Sequence, residues 1–292
     1  MKMTVRSSLG LALAALLLLP AAWALPLQGS GQGQQNPPKP PAQPAQPAQP
    51  GQPAQPAAPA TPPVAAEEEA AYKAFFEAKA ADFQLRIQLG EDFLKKFPES
   101  HYREAVYAGL ANTYLSAGQE DKMFAAGEKA LELNQSNVDM LSLMALVTPR
   151  RVNPNSLDAE QKLQKSENYS KQAISLLETI QKPAGMADED FLKARNEKLS
   201  MCHSGLGVVY FHRQKFAESA AELEQATKLA ATPDPVDYYV LGISYHQSKR
   251  FADAASAFGY CSEVAGPLQE PCKKQLEQDK KLAASQPAPP KP

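Results

Sequence analysis

The chain has 292 residues, 30 Lys and Arg against 32 Asp and Glu, a formal net charge of −2, and 26 prolines. The near-neutral charge lacks the basic footprint that phosphate binding needs, so no nucleic-acid partner is expected, and a polybasic membrane surface is excluded on the same ground. The prolines cluster between Pro26 and Pro63 and from Pro287 to Pro292, whereas the middle of the chain is rich in helix-forming Ala, Leu, Glu, Lys and Gln. Much of the chain therefore lies outside a globular core.

The N-terminus has the pattern of a targeting segment. Lys2 and Arg6 supply positive charge, Leu9–Leu19 is apolar, and Ala22-Trp23-Ala24 is an A-x-A cleavage pattern. This predicts a signal peptide over residues 1–24 and a mature protein that begins near Leu25 and is periplasmic or secreted. No transmembrane segment is expected after cleavage. The alternative is an uncleaved segment that anchors the protein in the inner membrane, because the apolar stretch is almost long enough to span it.

A proline-rich segment follows the predicted cleavage site. The triplet Pro41-Ala42-Gln43 recurs several times, with Pro at every third position and almost no apolar bulk, so this segment cannot form a core. We predict a disordered linker over 25–65, a folded domain over 66–284 and a disordered tail over 285–292.

The folded domain has the sequence pattern of helices. From Glu67 to about Leu282, apolar residues recur at spacings of three and four, and no alternating run indicates a strand. Helix ends are predicted at Phe97–Ser100, at Lys182-Pro183 and at Thr232–Pro235. Helices that alternate with short turns predict an all-α fold of antiparallel helix pairs.

Two parts of the domain repeat each other. Leu206-Gly207 and Leu241-Gly242 are 35 residues apart, and aromatic or polar residues flank both at matching positions. The segments His203-x-x-Leu206-Gly207-x-x-Tyr210 and Tyr238-x-x-Leu241-Gly242-x-x-Tyr245 resemble the W-x-x-L-G-x-x-Y signature of the tetratricopeptide-repeat family. The second helix of the later unit carries the matching Ala254 and Phe258. The chain is therefore similar to secreted bacterial tetratricopeptide-repeat proteins.

The resemblance continues upstream with less regularity. Tyr107-x-x-Leu110-Ala111-x-x-Tyr114 begins another repeat, and 72–97 is interpreted as a degenerate first pair. A unit that starts at Val138 is interrupted at Thr148-Pro149. A loop is predicted over 150–156 and a lengthened second helix over 157–180.

The resemblance implies a right-handed superhelix of about four to five repeats. Leu268, Cys272 and Leu276 lie one turn apart, which predicts an amphipathic C-terminal capping helix over the last repeat. In such a fold the first helix of each repeat lines a concave groove that binds a peptide or protein segment. The predicted groove residues are Asn112, Val208, Phe211, His212, Tyr239, Ile243 and His246. The alternative is that these residues pack as core.

Two further features leave alternatives open. Arg150-Arg151, beside Asn153-Pro154-Asn155, forms either a binding protrusion or an ordinary loop. Cys261 and Cys272 form either a disulfide or two small buried residues, and Cys202 stands alone. The cysteines are too sparse for a zinc site, so no metal and no cofactor are expected.

No catalytic residues are predicted. Cys202 and His203 are adjacent on a helix and therefore point about 100° apart, so packing explains them. His212 and His246 make at most a weak metal pair, and no phosphate loop or nucleophile motif occurs. The predicted function is a non-enzymatic protein–protein interaction scaffold of the bacterial cell envelope, which binds a peptide or protein segment through its groove. The alternative is a structural subunit whose repeats are buried in an obligate assembly; the partner and the oligomeric state stay open.

Overall fold

The computed structural model describes residues 65–286, and this part of the chain consists of helices joined by turns, without a strand. The predicted signal peptide, nearly all of the predicted linker and residues 287–292 lie outside the described residues. The described helices, in chain order, are α1 (Ala66–Glu77), α2 (Phe83–Lys96), α3 (Arg103–Ser116), α4 (Glu120–Leu133), α5 (Val138–Arg150), α6 (Ala159–Thr179), α7 (Asp188–His212), α8 (Phe216–Leu229), α9 (Pro235–Gln247), α10 (Phe251–Glu263) and α11 (Gln269–Ser285).

The chain divides into two compact units, with the boundary after Met123. In the first, α2 packs against both α1 and α3. Phe75 is fully buried in this unit, and an added Cβ at Gly90 or Gly109 would lie 2.9 or 2.7 Å from its ring. The two glycines therefore give the ring its space. α2 ends at Lys96, just before Pro98, as the sequence predicts.

The second unit contains α5 to α11. Each of these helices contacts the next one along the chain, and α7 also contacts both α5 and α9. This is the arrangement of stacked antiparallel helix pairs, with first helices α5, α7 and α9 and second helices α6, α8 and α10. The predicted all-α architecture of helix pairs is thus confirmed.

The turns inside the last two pairs have the same backbone geometry. Gln214 has φ 59° and Lys249 has φ 60°, both in the left-handed region. The next residue in each turn donates its N–H back to the carbonyl of a signature tyrosine: Lys215 to Tyr210 and Arg250 to Tyr245, both at 2.9 Å. The turn is therefore part of the repeat, although neither left-handed residue is a glycine.

The unit that starts at Val138 departs from the prediction. Helix α5 does not stop at Thr148-Pro149 but continues to Arg150, with Pro149 inside its last turn. Pro149 lacks the N–H that would bond the carbonyl of Ala145, and the hydroxyl of Ser166 on α6 donates to that carbonyl at 2.9 Å. The helix tolerates the proline because this bond satisfies the released carbonyl.

The predicted lengthening of the following helix is confirmed. α6 has 21 residues and α7 has 25, whereas α8, α9 and α10 have 13 or 14. Arg195, in the N-terminal half of α7, donates its Nε–H to the carbonyl of Leu177 near the end of α6 at 2.6 Å. The extra turns of the two helices therefore pack together, and we call residues 174–198 the lengthened pair.

Candidate functional site

The signature glycines of the two clear repeats allow close helix contacts. A Cβ at Gly207 on α7 would lie 2.5 Å from Cγ of Leu223 on α8, and one at Gly242 on α9 would lie 2.7 Å from Cε1 of Phe258 on α10. Real Cβ atoms do not approach other atoms this closely, so both positions need glycine. The same contact thus recurs in both pairs, as the resemblance implies.

The other signature residues fill the space between paired helices. Leu206, Leu241 and Tyr245 are buried, as are Leu110 and Tyr114 in the first unit. Ala226, Ala254 and Cys261 are fully buried on the second helices, whereas Tyr107, Tyr210 and Tyr238 are only partly buried.

The signature tyrosines also form polar bonds. Tyr245 donates its hydroxyl to Glu224 on α8 at 2.5 Å, and Tyr114 donates to Glu91 on α2 at 2.6 Å. Burial, and then the neighbouring carboxylate, raise the pKa of both tyrosines above the ordinary value. The guanidinium of Arg250 lies 4.3 Å from the ring centre of Tyr245. These contacts tie each first helix to a neighbouring helix.

The apolar part of the predicted groove is not exposed. Val208 is 0 %, Ile243 2 %, Tyr239 4 % and Phe211 9 % exposed. Three of them belong to one core cluster that also includes Cys272, from α11. The prediction that these four residues line an open apolar groove is therefore wrong, because neighbouring helices pack over them.

The polar groove residues are partly buried and have partners inside the protein. His212 donates from Nε2 to the carbonyl of Pro149 at 3.0 Å, and Asn112 donates to the carbonyl of Ala108 at 3.0 Å. His246 Nδ1 lies 2.7 Å from Oδ1 of Asp279. Burial lowers the pKa of His212. His212 and His246 thus bind different groups and do not act as a pair.

A largely buried polar cluster, which the sequence did not reveal, joins three first helices; its most exposed member is Asp234. Arg150, at the end of α5, donates from Nη1 to Asp234 at 2.6 Å and from Nη2 to Asp237 at 2.8 Å. Nη2 also lies 2.8 Å from the hydroxyl of Ser204 on α7, which donates to Asp237 at 2.6 Å. We call these four residues the Arg150 cluster. Arg150 is therefore neither a binding protrusion nor part of an ordinary loop.

The Arg150 cluster holds two carboxylates against one guanidinium. Asp237 is 4 % exposed, and this burial raises its pKa to about 6, although Arg150 opposes the shift. Burial is the largest influence on Asp234 and acts to raise its pKa, but the charge and the hydrogen bond of Arg150, together with the backbone N–H of Val236, outweigh it and hold that pKa below the ordinary value. Of the two carboxyl groups in the cluster, the first to lose its proton is stabilised by Arg150, and loss of the proton from the other is disfavoured.

The two cysteine predictions have clear outcomes. Cys261 and Cys272 form a disulfide, with their Cα atoms 5.8 Å apart, and both are fully buried. Cys202 is buried, donates to the hydroxyl of Ser142 at 3.4 Å, and has a pKa raised by burial to about 11. Its neighbour His203 bonds Glu222 at 2.7 Å instead. A thiol with so high a pKa is a weak nucleophile at neutral pH.

The lengthened pair carries exposed apolar residues. Ile180 at the end of α6 is 43 % exposed, and Leu192 in the second turn of α7 is 50 % exposed. Neither position belongs to the repeat signature. Across residues 65–286, none of the helices combines the length and the apolar content needed to cross a bilayer.

Comparisons with known proteins give partial matches. No family model matches the chain. The photosystem I assembly protein Ycf3 of Prochlorococcus marinus is 32 % identical over 93 residues, which are 30 % of this chain and 54 % of that protein, so the match spans about half of the relative's length.

Two solved structures are also similar to the chain. A thermophilic TPR protein of Thermus thermophilus is 16 % identical, with a TM-score of 0.44 over 73 % of this chain and 99 % of that one. A tetratricopeptide repeat protein of Parabacteroides merdae is 12 % identical, with a TM-score of 0.35 over 73 % and 98 %.

The geometry of the chain itself defines its class. The helices are paired, with small residues at their close contacts, and the first helices of successive pairs contact one another. This is the arrangement of an all-helical repeat protein. The spacing of Leu206, Gly207 and Tyr210, repeated at Leu241, Gly242 and Tyr245, resembles the signature of the tetratricopeptide repeat.

Proposed function

We propose that this protein is a non-enzymatic scaffold of the bacterial cell envelope that binds a protein or peptide partner. The observation that carries the proposal is the lengthened pair, which exposes Ile180 and Leu192 outside the repeat signature, whereas the four apolar residues of the predicted groove are buried. Contiguous exposed apolar patches mark contact surfaces between proteins, and the proposal assigns such a patch to these two side chains. The polar side chains of His203, His212 and Cys202 are occupied by structural bonds.

The name of one relative supports a role in holding other proteins. The matched cyanobacterial protein is an assembly protein for photosystem I. Because the match covers about half of that protein, we transfer only the general role of binding a protein partner, and not the partner itself.

The envelope location rests on two features. The first is the signal-peptide pattern around Ala22-Trp23-Ala24, and the second is the disulfide between Cys261 and Cys272, which is typical of oxidising compartments. The test is cell fractionation with N-terminal sequencing of the mature protein. A periplasmic form that begins near Leu25 supports the proposal, whereas a cytoplasmic form with free thiols at both positions contradicts it.

The contact surface can be tested by matched variants. Ile180→Ser with Leu192→Ser removes the exposed apolar side chains of the lengthened pair, and Leu157→Ser removes a fully exposed leucine elsewhere as a control. The mature protein and both variants are used to capture partners from an envelope extract, with helicity checked by circular dichroism.

The proposal expects a partner that the wild type and the Leu157→Ser variant retain and the double variant loses. Equal capture by all three proteins would place binding elsewhere. If nothing is captured and the purified protein is a stable oligomer by light scattering, the structural-subunit alternative replaces the scaffold.

A further inference from the structure

Helix α11 is attached to the last repeat by few apolar contacts. Only Cys272 and Asp279 of its 17 residues are buried, with Leu276 partly buried against the core and Leu268 buried just before the helix begins. Fully packed helices of the same unit, such as α9, bury many more residues. The hydrophobic contribution to holding α11 in place is therefore small.

The polar contacts of α11 are also incompletely satisfied. His246 of α9 bonds Oδ1 of Asp279, but Oδ2 of the same carboxylate and Oε1 of Gln275 are buried and have no hydrogen-bond partner in the described structure. Burial raises the pKa of Asp279. Buried polar atoms without partners oppose docking.

The strongest attachment is covalent. The disulfide joins Cys261 on α10 to Cys272 near the start of α11, across a sequence separation of 11 residues. By closing this loop, the disulfide reduces the conformational freedom that α11 has when it is undocked. The disulfide therefore favours the state in which α11 is docked on the last repeat. Both half-cystines are fully buried, so a thiolate reaches the bond only when the start of α11 opens.

We propose that α11 is a redox-dependent strap, which stays docked on the last repeat while the Cys261–Cys272 bond is intact and is released when a dithiol reduces that bond. In the reduction the S–S bond breaks, two electrons and two protons pass from the dithiol to the two sulfurs, and the dithiol closes to its own disulfide. Release of α11 uncovers part of the core cluster of the last repeat, which includes Tyr239, Ile243 and Phe258. The state of the disulfide thus decides whether this end of the array is covered or presents an apolar surface. The inference is independent of the proposed partner surface on the lengthened pair.

Hydrogen exchange measured by mass spectrometry on the full mature chain tests the strap. After reduction with dithiothreitol, peptides from 270–284 are expected to exchange on the order of 100-fold faster, the factor that corresponds to closing so short a loop. Peptides from α5 and α7 are expected to keep their protection. The Cys272→Ala variant should behave like the reduced protein without any dithiol.

The control is Cys202→Ala, which removes the free cysteine and should respond to the dithiol like the wild type. Equal protection of 270–284 before and after reduction would overturn the proposal. A simultaneous loss of protection in α5, α7 and α11 would also overturn it, because the bond would then stabilise the whole unit and not the strap.

Discussion

The guanidinium of Arg150 bonds the carboxylate of Asp237, with Nη2 2.8 Å from Oδ1, and so joins two helices whose bonded residues are 87 positions apart. The same guanidinium bonds Asp234 at 2.6 Å, and Ser204 on the helix between them completes the cluster. One side chain therefore links the first helices of three successive repeats. The stability of this unit and its dependence on pH follow from that arrangement.

Arg150→Met is expected to lower the free energy of unfolding by about 3 kcal/mol, because it leaves a buried carboxylate without its counter-charge. The measurement is urea unfolding followed by circular dichroism. Lys228→Met, at an exposed position on α8, is the control and should change stability by less than about 0.5 kcal/mol. Adding Asp237→Asn to Arg150→Met should recover part of the loss, and strict additivity of the two changes would contradict the proposed linkage.

The stability of the protein is expected to depend on the charge of Asp237. Its pKa is raised to about 6 in the folded protein from an ordinary value near 3.8, so the folded state binds more protons than the unfolded state between these values. The stability contribution is therefore fully present at low pH and is lost as the pH rises through about 6. Between pH 5.0 and 7.5 this contribution should fall by about 1 kcal/mol.

The lowered pKa of His212 changes the stability in the opposite direction, because the folded state then binds fewer protons than the unfolded state. The pH dependence of the free energy of unfolding is therefore compared between the wild type and Asp237→Asn. The variant lacks the titrating carboxyl group, so its stability should not show the fall expected for Asp237. Parallel pH profiles for the wild type and the variant would show that Asp237 does not titrate as described.

Alanine at the signature glycines is expected to destabilise the protein. Gly207→Ala and Gly242→Ala place a Cβ against Leu223 and Phe258, and overpacking of this kind costs about 1–3 kcal/mol. Gly259→Ala on α10 is the matched control, since an added Cβ there meets nothing within 4 Å. That variant should be neutral or more stable by up to about 1 kcal/mol. Equal effects at all three positions in urea unfolding would refute the close-contact role.

Glycine is expected to stabilise the turn between α7 and α8. Gln214 has φ 59°, a conformation that is strained for a residue with a Cβ, so Gln214→Gly should raise the free energy of unfolding by about 0.5–1 kcal/mol. Gly118→Ala, at φ 70° in the first unit, should have the opposite effect. Thermal unfolding of the two variants checks both signs, and a loss of stability in Gln214→Gly would contradict the strain argument.

Part of the candidate site was predictable because its signals are local. The spacing of apolar residues specifies the helices, and Gly and Pro residues mark their ends, each over only a few residues. The repeat at Leu206-Gly207 and Leu241-Gly242 specifies the contacts within each helix pair. The spacing of Leu268, Cys272 and Leu276 predicted the capping helix, and it left the disulfide as one of two possibilities.

The sequence by itself determined the helix pairs and the resemblance to tetratricopeptide repeats, whereas the tertiary structure decided which residues of the first helices are accessible. Val208 and Ile243 have the spacing of groove residues, but their exposure depends on neighbouring helices, which no local pattern describes. Arg150 adjoins a Pro that predicts a helix end, and its partners lie 54 to 87 residues away. Burial and ion pairing over such separations depend on how successive repeats stack, and this is a property of the folded chain alone.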